Sequence, residues 1–309
     1  MDRRIHFLDQ LRSHMMLLGI VLHAAGSYDN LPPGELWPYK SEGTHQGYSI
    51  LINFIHSFRM QVFFLVAGLF AALPLQWLMN RIFSDGRAMR IAPWLPWGLA
   101  VCIALIHVYS GSYVLDAPVG LGLDNKVFLM YAFYFATGMV AYHLREAFFD
   151  SITRWGSKLA IALVMLVLFV VTVSVHVQED QENPGALVWY GAFFLGGYYA
   201  FVCWFVLALY RCLCDHFSRL ARYLSEASYW VYLIHLPITV AVPMLIEHWP
   251  IAREIKFSLV LIMTLSLSVL SYHLLVRSTF IGWLLNGKRH PFKLPFTTLY
   301  SGKDTEQVA

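Results

Sequence analysis

The chain has 309 residues, of which 58% are hydrophobic and only 13% are charged, and its formal net charge is +3. Soluble domains carry about 45–50% apolar and about 25% charged residues, so this composition excludes an ordinary soluble protein and indicates a membrane protein. The small net charge reflects where the basic residues lie along the chain, and we expect no nucleic-acid partner.

Long apolar stretches recur along the chain, and each has the roughly 20 residues that a helix needs to cross a bilayer. We predict eight spans, over residues 7–27, 48–78, 92–110, 127–144, 158–177, 186–210, 228–247 and 257–278. The predicted fold class is therefore all-α, a polytopic transmembrane helical bundle in the lipid bilayer. One integral membrane domain is expected over residues 1–285, followed by a polar cytoplasmic tail over residues 286–309.

The basic residues predict the orientation of the chain. Arg12 and Arg59 lie inside spans, and sixteen of the other twenty Lys and Arg residues fall on the side of the N-terminus. Four fall on the opposite side, namely Lys40, Lys126, Arg253 and Lys256. Because cytoplasmic loops carry the excess of basic residues, both termini are predicted to be cytoplasmic.

Ionisable residues inside the spans point to a site. Such side chains are costly at bilayer depth, so they usually face the bundle interior and mark a functional site. The first span carries Arg12 and His23, which lie about 16 Å apart along a helix. The second span carries His56 and Arg59, which share one helical face because they are three residues apart. We expect Arg12 near the cytoplasmic end and the other three residues in the outer half.

This layout suits an anionic co-substrate that enters from the cytoplasm. Arg87 and Arg90 follow the second span on the side of Arg12, and the three guanidinium groups match the geometry of phosphates such as those of coenzyme A. The thin pantetheine arm would then present a thioester near His23, where a neutral imidazole can take a proton from an acceptor hydroxyl. Arg59 would stabilise the oxyanion that forms at the thioester carbonyl.

Plainer interpretations of these residues stay open. Arg12 could extend to the lipid headgroups, and His56 could be a hydrogen-bonding residue between helices. His235 shares a helical face with Tyr232 and could serve packing alone. Cys212-x-Cys214 could bind a metal or form a disulfide, but we interpret the cysteines as small apolar residues and expect no metal site. No tightly bound cofactor is expected.

Four blocks of the sequence resemble one family. Residues 7–12, which read FLDQLR, with His23 after ten intervening residues, resemble the Arg-x10-His signature of the acyltransferase-3 family of integral membrane O-acyltransferases. Residues 54–64 with Gly68 resemble its next block, and residues 227–237 resemble a late span. Arg87-x-x-Arg90 matches the basic motif of the family. The blocks are most similar to the branch that succinylates periplasmic glucans.

The resemblance implies an enzyme of the bacterial inner membrane. It would move an acetyl or succinyl group from cytoplasmic acyl-CoA, its co-substrate, to a hydroxyl of a glycan at the periplasmic face. His23, Arg59 and His56 are the implied catalytic residues, Arg12, Arg87 and Arg90 the donor-binding residues, and Tyr232 and His235 the secondary candidates. Members of the family have about ten spans. In this chain, residues 107–127 resemble a short connecting segment at the position where those members have another pair of helices.

Two other functions remain open on the sequence. A transporter or flippase for a polar or anionic solute could use the same line of polar residues as its pathway. A shortened, inactive member of the family would keep the motifs without catalysis.

Overall fold

A computed structural model describes residues 5–30, 37–82, 91–113, 124–178 and 185–286 of the chain. Most of these residues form helices, which confirms the predicted all-α class. In chain order the helices are α1 His6–Ala25, α2 Gln46–His56, α3 Arg59–Ile82, α4 Leu95–Ser110, α5 Asn125–His143, α6 Arg145–Ser151, α7 Trp155–Gln178, α8 Gly185–Cys214, α9 Arg219–Ile246, α10 Arg253–Ser271 and α11 Phe280–Asn286. A turn of 3₁₀-helix, Ala92–Trp94, precedes α4, and a turn of π-helix, Tyr272–Val276, follows α10.

Local sequence signals explain several helix ends. The Asp124 carboxylate accepts a 2.8 Å hydrogen bond from the Lys126 N–H, and the Ser218 hydroxyl accepts one of 3.2 Å from the Ala221 N–H. Both are side chains that satisfy the free N–H groups of a first turn, at the starts of α5 and α9. Gly111 ends α4 with a φ of 67°, a left-handed conformation that glycine adopts without strain.

The number of membrane-crossing helices is close to the predicted eight. Within the described ranges, six segments are long and apolar enough to cross a bilayer, and the bent pair α5 and α6 makes up to seven. The first predicted span corresponds to α1, a 20-residue helix that buries Asp9, Gln10 and Ser13. It is less apolar than the others because these polar side chains and Arg12 occupy it. The orientation of the termini stays a prediction.

The chain divides into two compact units, residues 1–56 with 216–309, and residues 57–215. In the first unit α1 and α9 run parallel. Ser225 bonds to Asp9, the Arg12 guanidinium lies over the Tyr229 ring, and further along the rings of His23 and His235 meet. The pairs advance in the same direction along both helices, and this places the two histidines side by side.

Helix α10 returns antiparallel to α9 in the same unit. Trp230, in the first half of α9, donates a 3.0 Å hydrogen bond from Nε1 to the hydroxyl of Ser271, the last residue of α10. At its other end, Val242 and Val260 pack in one hydrophobic cluster with Tyr28. The turn between the helices, residues 247–252, therefore lies at the same end of the unit as His23 and His235.

The second unit is held by close backbone contacts at glycines. A Cβ placed on Gly138 of α5 would lie 2.0 Å from the carbonyl oxygen of Leu65 in α3, and one on Gly68 would lie 2.0 Å from that of Phe135. Small residues allow membrane helices to approach this closely. Gly196 gives α8 the same access to α4, since its Cβ would lie 2.4 Å from the Ala100 carbonyl oxygen.

Two predicted spans differ from regular helices. The span 48–78 is interrupted between His56 and Arg59, where α2 ends and α3 begins. The regular helical face that we expected these two residues to share therefore does not run through the break. The span 127–144 ends at a 107° bend into α6. The single domain over residues 1–285 stays a prediction, and the tail lies outside the described residues beyond Asn286.

Candidate functional site

Two histidines from distant parts of the chain meet in the first unit. His23 lies in the last turn of α1, and His235 lies on the adjacent face of α9. Their ring centroids are 5.1 Å apart, with 51° between the ring planes. His235 is buried at 4% exposure, and His23 is half-buried. The structure thus joins the principal predicted base with one of the secondary candidates.

The backbone of α9 fixes the protonation pattern of His235. Its Nδ1 atom lies 3.0 Å from the Val231 carbonyl oxygen and 2.8 Å from that of Tyr232. Because a carbonyl oxygen can only accept, Nδ1 carries the proton in these bonds. In the neutral ring the basic nitrogen is therefore Nε2. The Tyr232 ring itself lies 5.8 Å from the His235 ring, so both secondary candidates belong to this site.

A tryptophan covers His23. The indole of Trp37 stacks on the imidazole with a centroid distance of 5.5 Å and an angle of 16° between the planes. The indole Nε1 donates a 2.8 Å hydrogen bond to the hydroxyl of Ser27, just beyond the end of α1. The imidazole of His23 is therefore in contact with both the Trp37 indole and the His235 imidazole.

The segment that carries Trp37 is bonded to the end of α1. The Ser41 N–H donates a 2.8 Å hydrogen bond to the Ser27 carbonyl, and the His45 N–H donates one of 2.9 Å to the Tyr28 carbonyl. Lys40 forms an ion pair with Asp29, which is 4% exposed. We call residues 37–45 the cap segment, because they cover the end of the unit that holds both histidines.

Glu247, at the end of α9, holds the cap segment from the other side. Its carboxylate accepts hydrogen bonds of 2.7 Å from the Tyr39 hydroxyl, 2.9 Å from the Ser41 hydroxyl and 3.1 Å from the Glu42 N–H. Burial acts to raise the pKa of this carboxyl, but the hydrogen bonds and the Lys256 ammonium outweigh burial and leave the pKa below its ordinary value. Burial and the bond to Glu247 both raise the pKa of Tyr39.

Arg12 lies at the opposite end of the α1 and α9 pair. Its guanidinium stands 4.9 Å from the centroid of the Tyr229 ring, a cation–π arrangement. One turn earlier the Ser225 hydroxyl donates a 3.3 Å hydrogen bond to Asp9, and Gln10 donates one of 2.8 Å to the His216 carbonyl. Arg12 and His23 therefore occupy opposite ends of one helix, the separation that the sequence predicted.

Two other predicted site residues, His56 and Arg59, lie on either side of the interruption between α2 and α3. His56 ends α2 in the first unit and is half-buried. Arg59 begins α3 in the second unit, is 6% exposed and donates from Nη2 to the Met60 sulfur at 3.2 Å. That both lie at the depth of His23 stays a prediction. Arg87 and Arg90 lie outside the described residues.

Sequence reasoning missed the residues of the cap segment. Trp37 lies in a connecting segment and Glu247 is the last residue of the span predicted over 228–247, and neither periodicity nor a motif marks them. One signal was available, since Lys40 is among the four basic residues that oppose the positive-inside pattern. Its ion pair with the buried Asp29 gives it a structural role beyond topology.

Comparison with known proteins identifies relatives. The acyltransferase-3 family model, described as an acyltransferase domain, matches residues 87–273. Glucans biosynthesis protein C of Escherichia coli strain K12 / DH10B is 39% identical over 96 residues, covering 29% of this chain and 24% of the relative. Its counterpart in Escherichia coli O1:K1 / APEC matches with the same identity and coverage. The chain thus spans about a quarter of the length of these curated relatives. No solved structure matches the chain.

Proposed function

The chain belongs to the acyltransferase-3 family of membrane acyltransferases, and on that premise we propose that it acylates a glycan hydroxyl with acyl-CoA as donor. The acyl group would be acetyl or succinyl, and transfer would occur from the cytoplasm to the periplasmic face of the bacterial inner membrane. The relatives named glucans biosynthesis protein C support a glucan-like acceptor.

The observation that carries this proposal is the imidazole pair under Trp37. General-base catalysis needs a neutral imidazole with access to the reacting hydroxyl, and His23 is half-buried at the end of α1. The nitrogen-to-carbonyl bonds of His235 orient its ring within the pair.

The proposed reaction is a single transfer. His23 removes the proton of the acceptor hydroxyl as its oxygen attacks the thioester carbonyl carbon, and the carbonyl oxygen becomes an oxyanion. Arg59 would stabilise that oxyanion. Collapse of the intermediate breaks the carbon–sulfur bond, and the CoA thiolate leaves and takes up the proton held by His23. The products are an ester and free CoA.

The donor would enter at the Arg12 end of α1. The length of α1 from Arg12 to His23 is about 16 Å at 1.5 Å per residue, a distance that an extended pantetheine arm can follow. Arg12, with Arg87 and Arg90 of the basic motif, would hold the phosphates. Acyl-CoA acts as a co-substrate in this proposal and is released each cycle.

The test is a histidine substitution in membranes fed with labelled acyl-CoA. His23→Ala should lower acylated glycan per unit of inserted protein by about 10²–10⁴-fold, the usual contribution of a general base. His248→Ala is the matched control, because His248 is exposed in the turn after α9. Activity of His23→Ala within a few fold of the wild type would show that His23 is not the base and would overturn this mechanism. A wild-type protein without transfer would indicate the inactive, shortened relative.

A further inference from the structure

Trp37 has a contact that a purely structural loop residue does not need. We propose that Trp37 is a positioning residue for His23, which fixes the plane of the imidazole and stabilises the imidazolium formed during transfer. The inference rests on the proposed role of His23 as the base. It assigns a function to the cap segment, which the sequence motifs do not reach.

The stack is built into the fold. Trp37 is 9% exposed, and its ring plane lies within 16° of the His23 plane. The residue at the end of α1 has to be small for this, because a Cβ on Gly26 would lie 2.9 Å from Cδ2 of the indole. Gly26 has an ordinary right-handed helical conformation, with φ of −56°. Space for the indole, and not backbone freedom, is therefore what glycine provides here.

Ser27 holds the indole from its polar edge. Its hydroxyl accepts the 2.8 Å bond from Trp37 Nε1, and its carbonyl accepts the 2.8 Å bond from the Ser41 N–H. Ser27 itself is fully buried at 0% exposure. The ring is thus fixed in rotation by one bond and in position by the segment that follows it.

The indole face acts on the charge of His23. Aromatic faces attract cations, and tryptophan does so most strongly of the aromatic side chains. The imidazole is neutral before proton transfer and cationic in the transition state, so the attraction is stronger in the transition state than in the ground state. Interactions of this kind raise kcat and leave KM largely unchanged.

The experiment compares two substitutions of Trp37 in the full-length protein. Trp37→Leu removes the aromatic face and should lower kcat by about tenfold, the effect of a cation–π contact worth about 1.4 kcal/mol. The KM values for acyl-CoA and the glycan should stay within about twofold. Trp37→Phe keeps an aromatic face and should recover most of kcat. Trp249→Leu is the matched control, since Trp249 is 53% exposed in the turn after α9.

A double-mutant cycle keeps the proposal testable if Trp37→Leu fails to insert. Trp37→Phe and Ser27→Ala remove the two partners of one hydrogen bond, so the double variant should be no slower than the slower single variant. Additive losses would show that Ser27 does not act through the indole and would overturn the proposal. An increased KM for the glycan at unchanged kcat would also overturn it, because Trp37 would then bind the acceptor.

The results for His23→Ala and Trp37→Leu together distinguish a failure of the role of Trp37 from a failure of the proposed function. If His23→Ala is inactive and Trp37→Leu keeps full kcat, Trp37 has no positioning role, but His23 is still supported as the base. An active His23→Ala variant removes both.

Discussion

The Nδ1 atom of His235 lies 2.8 Å from the carbonyl oxygen of Tyr232, three residues earlier on the same helix. This bond ties the ring to α9 and leaves Nε2 as its basic nitrogen. Replacing His235 with a side chain that keeps this bond but cannot accept a proton would distinguish a packing role from a catalytic role.

His235→Asn is that substitution. The asparagine amide can donate to the same carbonyl, but it cannot hold a proton, so we expect transfer activity to fall by about 10²-fold, the lower end of general acid–base contributions. His248→Asn, in the exposed turn, should retain wild-type activity. Initial rates per inserted protein are the measurement. A His235→Asn variant within twofold of the wild type would show that His235 serves packing only.

Glu247→Gln should loosen the cap segment. The amide accepts hydrogen bonds less strongly than the carboxylate, and we expect a loss of about 1–2 kcal/mol in stability at neutral pH. The folded pKa of Glu247 is lowered, so its contribution is present above its unfolded pKa and is lost as pH falls through its folded pKa. The difference in Tm between wild type and variant should therefore shrink below about pH 4.5. A difference that grows in acid would contradict this account.

Gly138→Ala tests the contact between α3 and α5. The new Cβ would lie 2.0 Å from the Leu65 carbonyl oxygen, so the helix backbones have to separate, at a cost of about 1–3 kcal/mol. Gly98→Ala in α4 is the matched control, because a Cβ there meets no atom within 4 Å. Replacing that helical glycine should be neutral or stabilise by up to about 1 kcal/mol. Thermal unfolding in detergent measures both, and equal Tm values would refute the close packing.

Replacing both Arg87 and Arg90 by Gln should weaken donor use. Each charge-assisted phosphate contact is worth about 1.5–3 kcal/mol, so the apparent KM for acyl-CoA should rise well over tenfold. The KM for the glycan should change little, and the Arg→Lys pair should recover only part of the loss. Donor titration in inverted vesicles measures this. If a correctly inserted double variant binds the donor with wild-type affinity, Arg87 and Arg90 do not form a coenzyme site.

The sequence predicted the helices well because the hydrophobic pattern of each span is local. It could not predict the interruption between His56 and Arg59, because the residues at the break include neither Pro nor Gly and mostly apolar stretches flank it on both sides. The 107° bend after His143 lies at the end of the span predicted over 127–144, so the sequence predicted where that span ends but not the angle. Hydropathy reports where a chain can enter a membrane, and it contains no information on where the backbone turns within an apolar run.

The candidate site was predicted in part. His23 and Arg12 were identified by their cost at bilayer depth, and their separation along α1 follows from helix geometry alone. The meeting of His23 with His235 depends on the packing of α1 against α9, which no local pattern encodes. Trp37 reaches His23 through the hydrogen bonds of a loop, and no local pattern in the sequence encodes that contact.

Because α1 and α9 run parallel, their directions determine whether the number of membrane crossings between them is odd or even. If two helices of one chain cross the bilayer in the same direction, the number of crossings between them has to be odd. Among the described residues, four segments between these helices meet the criteria of length and apolarity, and the bent pair α5 and α6 is the fifth. If α1 and α9 both cross, α5 has to be a full crossing, and the total becomes even. Reporter fusions after Asn125 and after Ser151 should then give opposite readings, periplasmic and cytoplasmic, and equal readings would mean that α1 does not traverse the bilayer.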